Sequence, residues 1–213
     1  MPDVGELVKR LRVAPKTAAG LRAERKRISH EAAGSSGAEV LALAHRLIRA
    51  RVARFVAYEL VLHHEAAIGS LSEREVEKLG AGVAHWGDID AFACLIAGPA
   101  WRRGRIADRL IRTWARSDDW CWRRAALVAT VPLNSRAQGG SGDTRRTLAI
   151  CRLLISDRED LVVKALSWAL RELAKRDAAG VRQFLADHRD RLAARVIREV
   201  SNKLESGRKN PRL

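Results

Sequence analysis

The sequence predicts an all-α protein, a solenoid of antiparallel helix pairs. Three observations predict it. Apolar residues recur at i, i+3, i+4 and i+7 over most of the chain, the period at which one face of an α-helix meets a core. No segment shows a convincing period-2 alternation of the kind a half-buried strand needs. The prolines, at Pro2, Pro15, Pro99, Pro132 and Pro211, fall at predicted joints or ends, where proline costs little, and the glycines cluster at joints too.

Taken in order, Val4, Leu7, Val8 and Leu11 open the chain on one helical face. Residues 39–50 and 53–67 form two further amphipathic stretches. Ser72 with Glu75 spells a capping box ahead of a short helix. Asp88 caps or begins a helix through Ile96. Pro99 is expected to start a helix running to about Arg116, and Asp118 to cap one running through Val131. Residues 133–142, rich in glycine and serine, read as the one real loop. Helices are expected at 143–155, 159–175, 178–186 and 188–204, and the polar residues 205–213 as a flexible basic tail. Taken in pairs, these helices repeat at about 30–40 residues, the range of HEAT-type repeats. Residues 1–204 are therefore expected to form a single HEAT-like repeat domain, an irregular helical bundle being the alternative.

A chain of 213 residues is one domain or one short repeat array. Its 40 basic residues outnumber 25 acidic ones, for a formal charge of +15. A GC-rich genome accounts for much of the choice of Arg over Lys, but not for the excess of positive over negative charge. That excess points to nucleic acid or an anionic surface. No apolar run approaches the ~18 residues of a membrane span. The N-terminus carries Asp3 and Glu6 with no apolar core of a secretion signal. Cys94, Cys121 and Cys151 are widely spaced within apolar helical patterns and form no CxxC, so they read as buried reduced thiols in a cytoplasmic protein.

Arg105, Arg109, Arg112 and Arg116 are spaced by 4, 3 and 4, which is one stripe on one helical face. Arg191, Arg195 and Arg198 repeat the pattern, and Lys164, Trp168 and Arg171 share a face between them. Such stripes bind phosphate or are simply solvated faces. The 105–116 stripe has Asp108 beside it but no acid within it. On successive repeats, phosphate-binding stripes line a concave basic groove wide enough for duplex nucleic acid.

Three tryptophan segments stand out. Trp86 lies one turn before Asp90, Trp120 one turn before Arg124, and Trp168 three residues before Arg171. A carboxylate is a poor choice for gripping phosphate and a good one for stabilising a developing cation. Asp90 as a helix cap or ion-pair partner, with Trp86 and Trp168 in the core, is the competing reading. Trp101, Trp114, Trp120 and Trp122 read as packing between repeats. His63-His64-Glu65 has no further ligand at metal-binding spacing, so no metal is expected. No Gly-rich phosphate loop follows a strand and no nucleophile elbow occurs, so no cofactor is expected either.

In order along the chain, these segments resemble the AlkD-like DNA alkylation-repair glycosylases, which are HEAT-like α-solenoids. The likeness covers roughly residues 40–186. Trp86 with Asp90 is similar to the family's tryptophan–aspartate motif. The run from Trp114 through Trp122-Arg123-Arg124-Ala125-Ala126-Leu127 resembles its Trp-x-x-Arg-x-Ala helix. Lys164-Ala165-Leu166-Ser167-Trp168-Ala169-Leu170-Arg171-Glu172 resembles its Lys-Ala-Ile-Gly-Trp-x-Leu-Arg-Glu helix. Gly87 stands where family members commonly carry an acid, the extra acid here being Asp88, while Ile89 keeps a β-branch before Asp90. The resemblance implies hydrolysis of the N-glycosidic bond of cationic N3-alkyladenine and N7-alkylguanine in double-stranded DNA, in base-excision repair. It implies Asp90 as catalytic carboxylate, Trp86 and Trp168 packed on the damaged nucleotide, and Arg124 on a nearby phosphate. It suggests a monomer, in a bacterial cytoplasm and on the nucleoid when bound to DNA. The alternative is a non-catalytic HEAT-repeat scaffold binding DNA or RNA through its basic groove.

Overall fold

Polar side chains placed just ahead of apolar runs start many of the helices. Asp3 accepts from the Glu6 amide at 2.8 Å and starts α1 (Val4–Val13), and Thr17 accepts from Gly20 and starts α2 (Ala18–Glu31). Ser36 and Glu39 form a full reciprocal capping box at the start of α3 (Gly37–Arg49). Each such cap contributes about 1 kcal/mol. The computed structural model describes residues 3–211, and among them it contains helices and turns and no strand, the all-α class expected. The chain divides into two compact units, Met1–Ile106 and Ala107–Leu213.

In the first unit, α4 (Arg54–Leu62), α5 (Glu65–Gly69), α6 (Glu73–Gly80), α7 (Trp86–Phe92), a π-helical turn (Ala93–Ala97) and α8 (Gly98–Arg102) follow α3. α4 is the hub, packed on α2, α3, α5 and α7 and buried at Val56, Ala57, Tyr58, Leu60 and Val61. One carboxylate interrupts that apolar run. Buried Glu59 accepts from Arg22 Nε at 2.9 Å and Arg25 Nε at 3.1 Å, which ties α2 to α4. Arg10 Nε donates to buried Glu24 at 2.6 Å and ties α1 to α2.

The second unit holds α9 (Asp108–Trp114), α10 (Trp120–Val128), α11 (Val131–Asn134), a 3-10 turn (Arg136–Gln138), α12 (Thr144–Leu153), α13 (Asp160–Leu173), α14 (Ala178–Asp187) and α15 (Ala194–Ser206). Here α13 is the hub, packed on α10, α11, α12, α14 and α15. Val162, Ala165, Leu166, Ala169, Leu170 and Leu173 are buried, which leaves 160, 161, 164, 168 and 171 as its outer stripe.

Several expected boundaries are corrected. The helix expected from Pro99 to Arg116 is broken: α8 ends at Arg102, Gly104 takes a left-handed φ of +69°, and α9 begins at Asp108. Arg105 therefore sits in a turn and donates from Nε to Leu71 O at 3.4 Å, and Arg116 lies beyond the C-cap of α9. Only Arg109 and Arg112 remain on one helix, so the four arginines are not one continuous helical stripe. Pro99 does not start a helix; it sits in a helical run from Trp86 to Arg102. Proline lacks an amide and clashes with the carbonyl four residues back. The π turn accommodates this just before it, where Gly98 N–H reaches Ala93 O.

Asp119, not Asp118, caps α10, accepting from Cys121 N at 2.8 Å. Ser72 caps α6, but the reciprocal half of the expected box is missing because the Glu75 carboxylate faces His45 and Lys78. The stretch 53–67 breaks at His63 and His64, where His64 Nδ1 caps α5 through Ala67 N, and Glu65 pairs with Arg103. Part of 133–142 is helical, and the helix expected from 188 starts at Ala194. Among the described residues no helix is long and apolar enough to cross a membrane. The three cysteines are buried and not joined in disulfides. Burial pushes the Cys151 thiol up to about 12, and burial with nearby Asp119 pushes Cys121 up to about 11, so both stay protonated and unreactive.

Candidate DNA-processing site

α7 begins with an aromatic residue in the open. His85 is its N-cap, accepting at Nδ1 from Gly87 N at 3.2 Å, and the His85 and Trp86 rings lie 5.3 Å apart. The Trp86 side chain is 51% exposed; Val13 is the other exposed large hydrophobic among the described residues. An exposed indole at a helix start loses apolar burial unless something covers it. Asp90 is one turn on, on the same side of α7, and half-buried. The opposite side fixes the helix. Ile89 and Phe92 are fully buried, and Phe92 meets Tyr58 at 6.0 Å, whose hydroxyl donates to Leu79 O at 2.9 Å. The π turn follows directly, a feature often found beside functional sites because it re-aims the neighbouring helix. Trp86 and Asp90 thus share one side of a short helix whose other side is pinned by the core.

In the second unit α13 brings Lys164, Trp168 and Arg171 onto its outer stripe, Lys164 exposed and the other two half-buried. Lys164 Nζ pairs with Asp160 at 2.6 Å. Arg171 Nε donates to Ser167 Oγ at 3.1 Å and lies 3.9 Å from Glu199 of α15, while Ser167 Oγ donates to Glu199 at 2.6 Å. Lys209 Nζ reaches the other oxygen of Glu199 at 3.2 Å, which ties Lys209 to α15. Burial alone raises the Glu199 carboxyl, but Ser167, Lys209 and Arg171 outweigh it and hold the carboxyl below its ordinary value. Burial lowers the pKa of Arg171, which still stays charged.

Arg124 differs from the other predicted DNA contacts. It is only 5% exposed, and its Nη1 donates to Leu161 O at the start of α13. Neighbouring Arg123 is tied to Asp157 at 2.7 Å and to Ser117 O and Asp118 O. Trp101 and Trp114 are buried, the Trp114 ring meeting half-buried Trp122 at 4.9 Å with a 43° tilt, while Trp120 is half-buried at the first position of α10. Asp108 pairs with Arg145 at 3.2 Å and Arg146 at 2.9 Å.

Sequence reasoning missed two participants. His85 carries a local signal, a polar residue immediately before the first turn of α7. Glu199 carries none, because its contact with Ser167 spans 32 residues.

Residues 14–204 match a family model described as DNA alkylation repair enzyme. The chain belongs to that family. The match extends beyond the motif-bearing region at both ends, taking in α2 and most of α15, and all three tryptophan segments fall inside it. No curated protein matches the chain. Membership in the DNA alkylation repair enzyme family gives the chain a role in alkylation repair and implies DNA as the molecule it handles.

Proposed function

We propose that the chain is a DNA glycosylase that hydrolyses the N-glycosidic bond of cationic alkylated purines, N7-alkylguanine and N3-alkyladenine, in duplex DNA. One observation carries the reading: an exposed Trp86 with a half-buried Asp90 one turn away, in a DNA alkylation repair enzyme carrying +15. The chemistry needs little else. A purine alkylated at N7 or N3 is already positive, so when the bond from C1′ breaks, its electron pair neutralises the base and no general acid is required. The sugar is left as an oxocarbenium-like cation, as in glycoside hydrolysis. Asp90 stabilises that cation and orients water, whose oxygen bonds to C1′ while its proton passes to Asp90 or solvent. The Trp86 indole offers a π face to the cationic sugar and excludes bulk water.

In this reading the second unit grips DNA. Trp168 packs on the strand, and Lys164, Arg171, Arg109 and Arg112 neutralise phosphates, with Arg116, and Arg105 of the first unit, contributing from turns. Arg124 contributes a phosphate contact while also holding Leu161 O. The experiment is single-turnover base release from one duplex carrying N7-methylguanine and from a matched duplex carrying uracil. Uracil leaves as an anion, without the positive charge that makes an alkylated purine a ready leaving group. Release of methylguanine without uracil is expected. Salt-sensitive binding with no release of N7-methylguanine or of an N3-adenine adduct would leave a DNA-binding scaffold instead.

A further inference from the structure

A cleft within the first unit, whose lining includes neither Trp86 nor Asp90, lies between α3 and α6. It holds about 620 Å³, comparable to small-molecule sites. Its α3 wall is built by spacing: 42, 45, 46 and 49 are i, i+3, i+4 and i+7, one side of a helix whose other side buries Val40, Leu43, Ala44 and Leu47. Glu75, Lys78 and Ala81 form the facing wall. The single carboxylate in the lining is committed, paired with His45 Nε2 and with Lys78 at 3.7 Å. Arg46 and Arg49 are exposed, and among the described residues their guanidinium groups make no hydrogen bond or ion pair. Most other arginines of this unit are committed: Arg10 to Glu24 and Glu31, Arg22 and Arg25 to Glu59, Arg27 to Glu24, Arg54 to Ala81 O, Arg103 to Glu65, and Arg105 to Leu71 O. Against Glu75, the cleft therefore carries three full cations, with a histidine besides.

We propose that this α3–α6 cleft binds a phosphate group, held by Arg46 and Arg49 with Lys78 opposite. Two guanidinium forks one turn apart suit a tetrahedral oxyanion, which each can meet with two parallel N–H donors. Ala81, at the cleft's edge, is five residues before Trp86, so the same short stretch of chain leads from the phosphate site to the exposed indole. A backbone phosphate of the duplex is one source of the group and free inorganic phosphate the other. The first rests on the reading of the chain as a duplex-binding protein, but not on its chemistry.

The test measures binding of an undamaged duplex between 50 and 200 mM salt, for the wild-type chain, for Arg46→Gln/Arg49→Gln, and for Arg12→Gln/Arg74→Gln. The last removes the same charge from exposed positions outside the cleft. Each lost phosphate contact lowers the slope of log K against log salt by about 0.9. The cleft variant is expected to lose about one to two from the slope, and the control markedly less. A second arm titrates inorganic phosphate into each protein. An unchanged duplex slope with phosphate binding lost only in the cleft variant assigns the site to free phosphate. Equal slope losses in both variants, or no change in either arm, overturns the proposal. Arg46→Lys/Arg49→Lys keeps the charge and is expected to retain most of the slope. Base release by the wild-type chain is measured separately, so a failure here is distinguishable from a failure of the glycosylase reading.

Discussion

Single residues in this chain divide into those that hold the fold and those left facing out, and burial sorts them better than sequence position does. Arg123 and Arg124 are adjacent and chemically alike, yet both are engaged by the protein itself. Arg171 is steadied by Ser167 and Glu199. Glu199 is thus a support whose protonation the fold must sense. Its carboxyl is held below its ordinary value, so the folded state favours the charged form. The associated stability is fully present above the unfolded value, about 4.3, and is lost as pH falls through the lower folded value. Denaturant titrations of wild type and Glu199→Gln are expected to differ most near neutral pH and to converge as pH drops below about 4. A gap that is constant with pH would contradict this role. The motif residues Trp86 and Asp90 were legible in the sequence because their spacing is local. Glu199 was not, because only the packing of α13 on α15 brings it to Ser167.

Elements were legible wherever a cap and a helical period coincide, as at Ser36 ahead of α3 and across α13. They were misread where backbone geometry decides. Pro99 signals a helix start in sequence, yet a π turn lets the helix run through it. The spacing of Arg105 with Arg109 signals one helix, yet Ala107 between them is extended and α9 begins only at Asp108. The loop after α11 shows the same control by backbone. Asn134 is buried and donates to Thr130 O and Thr147, while accepting from Asp143 N. Arg176 donates to Asn134 O and Gly140 O across the loop. A Cβ on Gly140 would fall 2.5 Å from Pro132 O and 2.6 Å from Leu133 O, backbone atoms that cannot rotate away. Gly140→Ala is expected to cost about 1–3 kcal/mol, typical of overpacking, whereas Gly69→Ala, with open space around it, should not carry that clash. Thermal unfolding of the two variants side by side checks this, and equal melting temperatures would refute it.

At the scale of the whole molecule, charge and family carry the function. Many acids are consumed internally, Glu24, Glu59, Asp108, Asp157 and Glu199 each meeting arginine or lysine. The formal excess of +15 remains for a polyanion. Composition alone indicated nucleic acid or an anionic membrane surface; the tryptophan motifs narrowed this to alkylation repair, and the match over residues 14–204 supports that at family level. The lesion is not legible from residue patterns, because one carboxylate beside one indole suits any leaving base that is already positive. The central claim is that Asp90 stabilises the sugar cation rather than the fold. Its most direct test is single-turnover release of N7-methylguanine by wild type and Asp90→Asn, with duplex affinity measured in parallel. The account predicts a rate about 10²–10³ lower for the variant, the usual loss on removing one electrostatic stabiliser, with affinity retained or raised. Weakened binding with an unchanged single-turnover rate would contradict it.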